Sequence, residues 1–149
     1  MEPIITYSVK ISESEKYQDT FDIYGGTYTP QSPVVIDMQI WNNKYGLESV
    51  DDLEDFILNF YFDNIEDSVL LKYIQVEQGG TQLLPISIAN RIATVNFLDK
   101  VILSGKANDG SEENIDNYIS LKIIFDIPDK NISLKNLDIK SLYFEIVRQ

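Results

Sequence analysis

The chain is 149 residues long, with 24 acidic against 12 basic residues, a formal charge of −12, and neither a histidine nor a cysteine. That inventory excludes a Ser-His-Asp triad, a thiolate nucleophile and an ordinary zinc site, each of which needs an imidazole or a soft sulfur ligand. The negative charge repels phosphate backbones and anionic headgroups, so neither nucleic acid nor membrane is an expected partner.

From the N-terminus, Ile5, Tyr7, Val9 and Ile11 alternate with Thr6, Ser8, Lys10 and Ser12, the pattern of a strand with one buried and one wet face. Phe21 and Ile23 form a shorter repeat ended by Gly25-Gly26, and the segment to Pro33 reads as an exposed loop. Val34, Ile36, Met38 and Ile40 predict a second long strand up to Trp41, followed by a turn over Asn42-Asn43-Lys44-Tyr45-Gly46. Ser49-Val50-Asp51-Asp52 predicts one short helical turn, with Ser49 as its cap.

Phe56, Leu58, Phe60 and Phe62 line one face of the next strand. Ile57 and Tyr61 make its other face apolar too, so this strand is expected at the centre of a sheet. Val69 to Val76, Ile86 to Ile88, Ile92 to Leu98 and Val101 to Leu103 are further candidates, separated by Gly79-Gly80, Asn90-Arg91 and Asp99-Lys100. The polar stretch Gly105 to Asn117 is the longest break. After it Ile119, Leu121, Ile123, Phe125 and Ile127 give the strongest alternation, which Pro128 ends because proline cannot donate to a ladder. Ile132 to Leu134 is a candidate short strand, and Leu142 to Val147 closes the chain.

No repeat, heptad or linker divides these elements. The expectation is one all-β domain spanning residues 1–149, an antiparallel β-sandwich or jelly roll of about eight to ten strands with at most one or two short helical turns. Met1 to Lys10 lack a basic segment followed by an apolar run, and no later run approaches the ~20 apolar residues of a membrane span. Synthesis in the cytoplasm, without a signal peptide or transmembrane segment, is therefore expected.

The chemistry left to such a chain is narrow. No phosphate-binding glycine loop or dinucleotide fingerprint occurs. Paired carboxylates alone can hydrolyse glycosides, and Asp51, Asp52, Glu54, Asp55, Asp63, Glu66 and Asp67 cluster in sequence, yet no signature selects a pair among them. No catalytic residue is assigned. Asn108 to Asn117 is the segment best suited to a hard cation such as Ca²⁺, through Asp109, Glu112, Glu113 and Asp116, but the EF-hand order is absent. An ordinary loop turned by Asn108-Asp109-Gly110 is the favoured reading. No cofactor is expected.

Tyr24, Tyr28, Trp41 and Tyr45 surround the two loops nearest the N-terminus and are the candidates for contact with a partner or a glycan, with core packing the competing explanation for Trp41. Asn131-Ile132-Ser133 is a formal glycosylation sequon without an expected secretory route.

With Ile119 to Ile127 followed by Asn131 to Val147, an acidic composition and no signal, the chain resembles the small β-sandwich or jelly-roll proteins of tailed-phage particles: auxiliary capsid, decoration and head-fibre components. That resemblance carries no site residue. It implies a non-enzymatic protein, made in the cytoplasm and then part of a virion, that docks on other chains of a larger particle. A second resemblance, confined to Tyr118 to Ile127 and Leu142 to Val147, is to carbohydrate-binding modules, which implies a glycan partner.

Overall fold

A computed structural model of the chain describes residues 1–10, 34–62, 65–80, 82–125 and 142–149. Nine strands are present among them: β1 (Ile5–Lys10), β2 (Val34–Asn42), β3 (Phe56–Phe62), β4 (Ile74–Gln78), β5 (Gln82–Leu83), β6 (Ile86–Ala89), β7 (Ile92–Val95), β8 (Tyr118–Phe125) and β9 (Leu142–Arg148). They form two antiparallel sheets, a five-stranded one in the order β1-β2-β8-β4-β5 and a four-stranded one in the order β6-β7-β3-β9. The fold is an all-β sandwich, as the alternation predicts. The Phe21–Ile23 repeat, the loop to Pro33, the Pro128 stop, the Ile132–Leu134 strand and the sequon lie outside the described residues.

The alternating positions do what their pattern requires. Tyr7, Val9, Ile36, Met38, Ile40, Val76, Leu121 and Ile123 of one sheet and Phe56, Leu58, Phe60, Phe62, Ala93, Val95 and Phe144 of the other are buried in one cluster. Tyr7 meets Phe144 across the gap edge to face, with ring centres 6.1 Å apart. β3 pairs with both β7 and β9, which is the central place its two apolar faces predict.

The two outer faces differ. On the five-stranded sheet Lys10, Asp37, Lys122 and Glu77 stand directly opposite one another across four strands, an alternating charge row of the kind that stabilises cross-strand neighbours and keeps a face wet. On the four-stranded sheet Ile57 faces Val147 and Tyr61 faces Tyr143, but between these two pairs Ser87, Thr94, Asn59 and Glu145 stand opposite one another, so its outward surface is two apolar pairs divided by a polar row.

Four predicted elements differ from the structure. No helical turn forms at Ser49–Asp52: the Val50 N–H donates to the Gly105 carbonyl, and Leu53 and Leu103 exchange both backbone bonds as an isolated antiparallel bridge. A local helix would have forfeited those cross-loop bonds. The candidate strand Val69–Val76 begins instead as a 3₁₀ segment, Ile65–Tyr73, and becomes extended only at Ile74. Burial explains this, since Leu70, Leu71 and Ile74 are buried while Val69 is 64% exposed, which is one face of a helical turn and not a period of two. Val101–Leu103 contributes only the single bridge at Leu103, and the strand predicted to run to Leu98 stops at Val95.

The β6–β7 hairpin turns on two residues, Asn90 and Arg91, between the paired Ala89 and Ile92. Both have left-handed backbones, with φ of 51° and 67°, as a type I′ turn demands. Asparagine tolerates that region and arginine does not, at a cost of about 1 kcal/mol. Replacing Arg91 by glycine should therefore raise the free energy of unfolding by about 0.5–1 kcal/mol in a urea titration.

Candidate functional site: a loop platform at one end of the sandwich

The long connection from β2 to β3 (residues 43–55) and the one from β7 to β8 (residues 96–117) meet at one end of the sandwich, where residues 1–4 also lie. Apart from the Leu53–Leu103 bridge they carry no ladder, so their carbonyls and N–H groups must be satisfied some other way. Asparagine side chains do it. Asn42 is fully buried; its Oδ1 accepts from the Ile4 N–H, and its Nδ2 donates to the Asp51 and Leu103 carbonyls at 2.9 and 3.1 Å. Asn43, also buried and held at φ 61°, donates through Nδ2 to the Glu48 and Gly105 carbonyls.

Asn117 comes from the start of β8 and is fully buried. Its Nδ2 donates to the Asn42, Ser104 and Lys106 carbonyls, while its backbone carbonyl accepts from the Asn42 N–H. Three converging carbonyls fix the amide's orientation, because the oxygen turned toward them would be repelled. Gly105 is needed where the loops touch, since a Cβ there would overlap the Val50 carbonyl. Ser49, expected to cap its own turn, instead accepts from the Ala107 N–H, and Asp52 accepts from the Gly105 N–H.

Around this hub stand the residues singled out in the sequence. Asn108 donates to the Asn43 carbonyl at 2.7 Å and accepts from the N–H groups of Tyr45 and Gly110. The Tyr45 ring lies against Gly110, leaving no room for a Cβ, and is 59% exposed. The turn after β2 and the acidic loop before β8, picked out separately for aromatic and for acidic chemistry, are thus one structure.

Trp41 requires a correction as a contact residue, because it is wholly buried. It sits on the outer face of the five-stranded sheet, opposite Thr6 and Tyr118, and the Tyr118 ring stacks on it at 4.5 Å. Its Nε1 donates to Gln39 Oε1 at 3.0 Å. The Lys44 ammonium lies 5.0 Å from its ring centre and 5.3 Å from that of Tyr45, donating also to Ser8 Oγ. The indole is a shelf under the platform, held by stacking and cation–π attraction. Partial burial, and after it the Glu112 carboxylate, pushes the Tyr118 phenol above its ordinary value, so it remains the neutral donor to the Glu112 carbonyl.

The cation candidates do not gather. Asp109 Oδ1 accepts from the Ser111 N–H and from Asn114 Nδ2, Asp116 pairs with Lys106 at 3.1 Å, and Glu112 and Glu113 are exposed. Among the described residues no three carboxylates are placed to share a metal ion. Tyr24, Tyr28 and Asp63 lie outside the described residues, and Asp51, Asp52, Glu54 and Asp55 are exposed. A cleft of about 420 Å³ adjoins the platform, lined by Asp55, Asn96, Phe97, Asp99 and Lys100 among others. Tyr61 and Tyr143 stack with ring centres 5.8 Å apart and planes inclined by 25°.

The most exposed apolar side chains on these two loops are Leu47 at 95% and Ile115 at 70%, neither of them among the candidates that the sequence offers. Each follows a turn residue and sits outside any period, so alternation could not reveal it. Comparison with protein-family models, with curated proteins and with solved structures finds no match. Among the described residues no helix is long and apolar enough to cross a membrane.

The Asn42 side chain satisfies one N–H and two carbonyls away from water, and losing such a partner leaves each with a penalty of about 1–3 kcal/mol. Asn42→Ala should therefore lower unfolding free energy by about 3 kcal/mol or more, whereas Leu47→Ser, on the same loop, should change it by less than about 0.5 kcal/mol. Chemical denaturation of the two variants side by side checks both figures.

Proposed function

We propose that this chain is a non-enzymatic assembly module that docks, loop end first, on other protein chains of a larger particle, as an auxiliary virion component does. The observation that supports this reading most strongly is the exposure of Tyr45, Leu47 and Ile115 on loops whose backbones are bolted together by buried asparagines. Folding stability does not need a large apolar side chain held rigidly in water. Binding does, because a surface ordered in advance loses less conformational entropy on association. Aromatic and aliphatic anchors at the centre of an interface, ringed by polar groups, are where binding energy concentrates.

The surroundings favour a protein partner. Glu48, Glu112 and Glu113 are exposed on the same two loops, so the partner surface is basic or neutral around an apolar centre. The outer face of the four-stranded sheet sets Ile57 with Val147 and Tyr61 with Tyr143 on either side of the polar row Ser87-Thr94-Asn59-Glu145, and the opposite sheet carries the charged row, so the loop end is the favoured contact surface.

The test is a triple variant, Tyr45→Ser with Leu47→Ser and Ile115→Ser, compared with the wild-type chain by light scattering and by co-purification from its native source. The variant should keep the wild-type circular dichroism spectrum and lose association with the particle by roughly a hundredfold, the effect of removing two or three anchors worth ~1 kcal/mol each. A variant that still accompanies the assembly at wild-type levels, or a wild-type chain that stays monomeric and accompanies nothing, would sink the reading.

A further inference from the structure

Asp109–Gly110 is the one Asp-Gly sequence in the chain, and it lies in an exposed loop. In a mobile chain this dipeptide rearranges spontaneously. The Gly110 backbone nitrogen gives up its proton and attacks Cγ of Asp109, a carboxyl oxygen leaves as water, and a five-membered imide forms. Water then reopens the ring, and opening at the main-chain carbonyl leaves the backbone running through the side chain as isoaspartate. No oxidant, metal or enzyme is needed, and glycine offers no side chain to hinder the attack.

Every participant in that reaction is restrained here. The Gly110 N–H donates to Asn108 Oδ1 at 2.8 Å, which ties up the proton that must leave. Asp109 Oδ1 accepts from the Ser111 N–H and from Asn114 Nδ2, which holds the carboxylate in its turn and favours the ionised form, a poor electrophile. These same bonds keep the Asp109 carboxyl below its ordinary pKa. Gly110 is fixed at φ 78°, with the Tyr45 ring packed against it, and Asn108 is itself anchored to the Asn43 carbonyl. Rotation of the Asp109–Gly110 peptide into attacking geometry breaks several of these contacts at once.

We propose that Asp109–Gly110 is a latent isoaspartate site that the fold keeps unreactive, so that its modification records release of the loop platform. The inserted methylene would lengthen the backbone beside Tyr45 and spoil the fit of Asn108 into the hub, which makes the change self-perpetuating. This inference stands whether or not the platform is a docking surface.

The experiment is ageing of the full-length protein at mildly acidic pH, with isoaspartate at residue 109 quantified by peptide mass spectrometry. The native chain, the same chain in concentrated urea, and Asn108→Ala are compared. If reaction occurs only from the opened loop, the native rate should fall below the urea rate by roughly tenfold or more, the factor set by a local opening free energy above ~1.4 kcal/mol. Asn108→Ala should recover most of that difference while still unfolding in one cooperative thermal transition, at a lowered midpoint. Should that variant lose its fold, Asn114→Ala, which removes the exposed bond from Asn114 to Asp109 and the part-buried ones to Ser111 but touches none of the buried hub asparagines, takes its place and should accelerate the reaction severalfold. Equal rates in native and urea-treated chains overturn the proposal, and so does a folded variant that ages no faster than wild type.

Discussion

A buried backbone carbonyl or N–H must be paired, and at the loop end of this sandwich the pairing comes from side-chain amides. Asn42, Asn43 and Asn117 supply what no ladder can: short planar groups with one acceptor and two donors, each reaching carbonyls on two different segments. Aspartate in place of Asn117 would turn a charge toward three carbonyl oxygens, and glutamine would hold the amide one methylene too far from its own strand. Without these groups the loops would expose their backbones to water. The Leu53–Leu103 bridge and the close approach of Gly105 to Val50 both depend on that bolting.

The same hub explains how a protein without histidine or cysteine can present a defined surface. Its two acidic loops repel each other on charge alone, yet are joined by neutral amides that pay no desolvation penalty for an ion. Trp41 and Tyr118 form the floor beneath them on the outer face of the five-stranded sheet, and Lys44 bridges floor and platform through its contacts with Trp41, Tyr45 and Ser8. Tyr45, Leu47 and Ile115 therefore project from a body whose geometry is set before any partner arrives.

Much of the architecture was legible in the sequence because strands with one buried face write a period of two. β1, β2, β3, β8 and β9 fall where that period predicts them, and the apolar second face of Phe56–Phe62 correctly implied a central strand. The failures have a common cause. At Val69–Ile74 the apolar residues fit either a strand or a helical turn, and only tertiary burial of Leu70 and Leu71 decides. At Ser49–Asp52 the Ser49 hydroxyl reads as an acceptor within its own turn, but the donors that Ser49 and Asp52 meet lie more than fifty residues away, on Ala107 and Gly105. Trp41 continued an alternating strand on its outward side, and nothing local indicates that Tyr118 and Lys44 would cover it. Asn42 and Asn43 read as turn residues, yet Asn42 is the last residue of β2, paired with Ile5, and only Asn43 begins the turn; the larger role of both depends on partners up to 62 residues distant.

Amide hydrogen exchange tests most directly whether the loop end is one rigid body built on buried asparagines. The N–H groups of Val50, Leu53, Leu103, Gly105 and Asn117, all donors in this network, should exchange as slowly as those of β2 and β8, opening only with a free energy close to that of the whole domain. Exchange of these amides at rates near those of an unstructured chain, while the strands stay protected, would contradict the account.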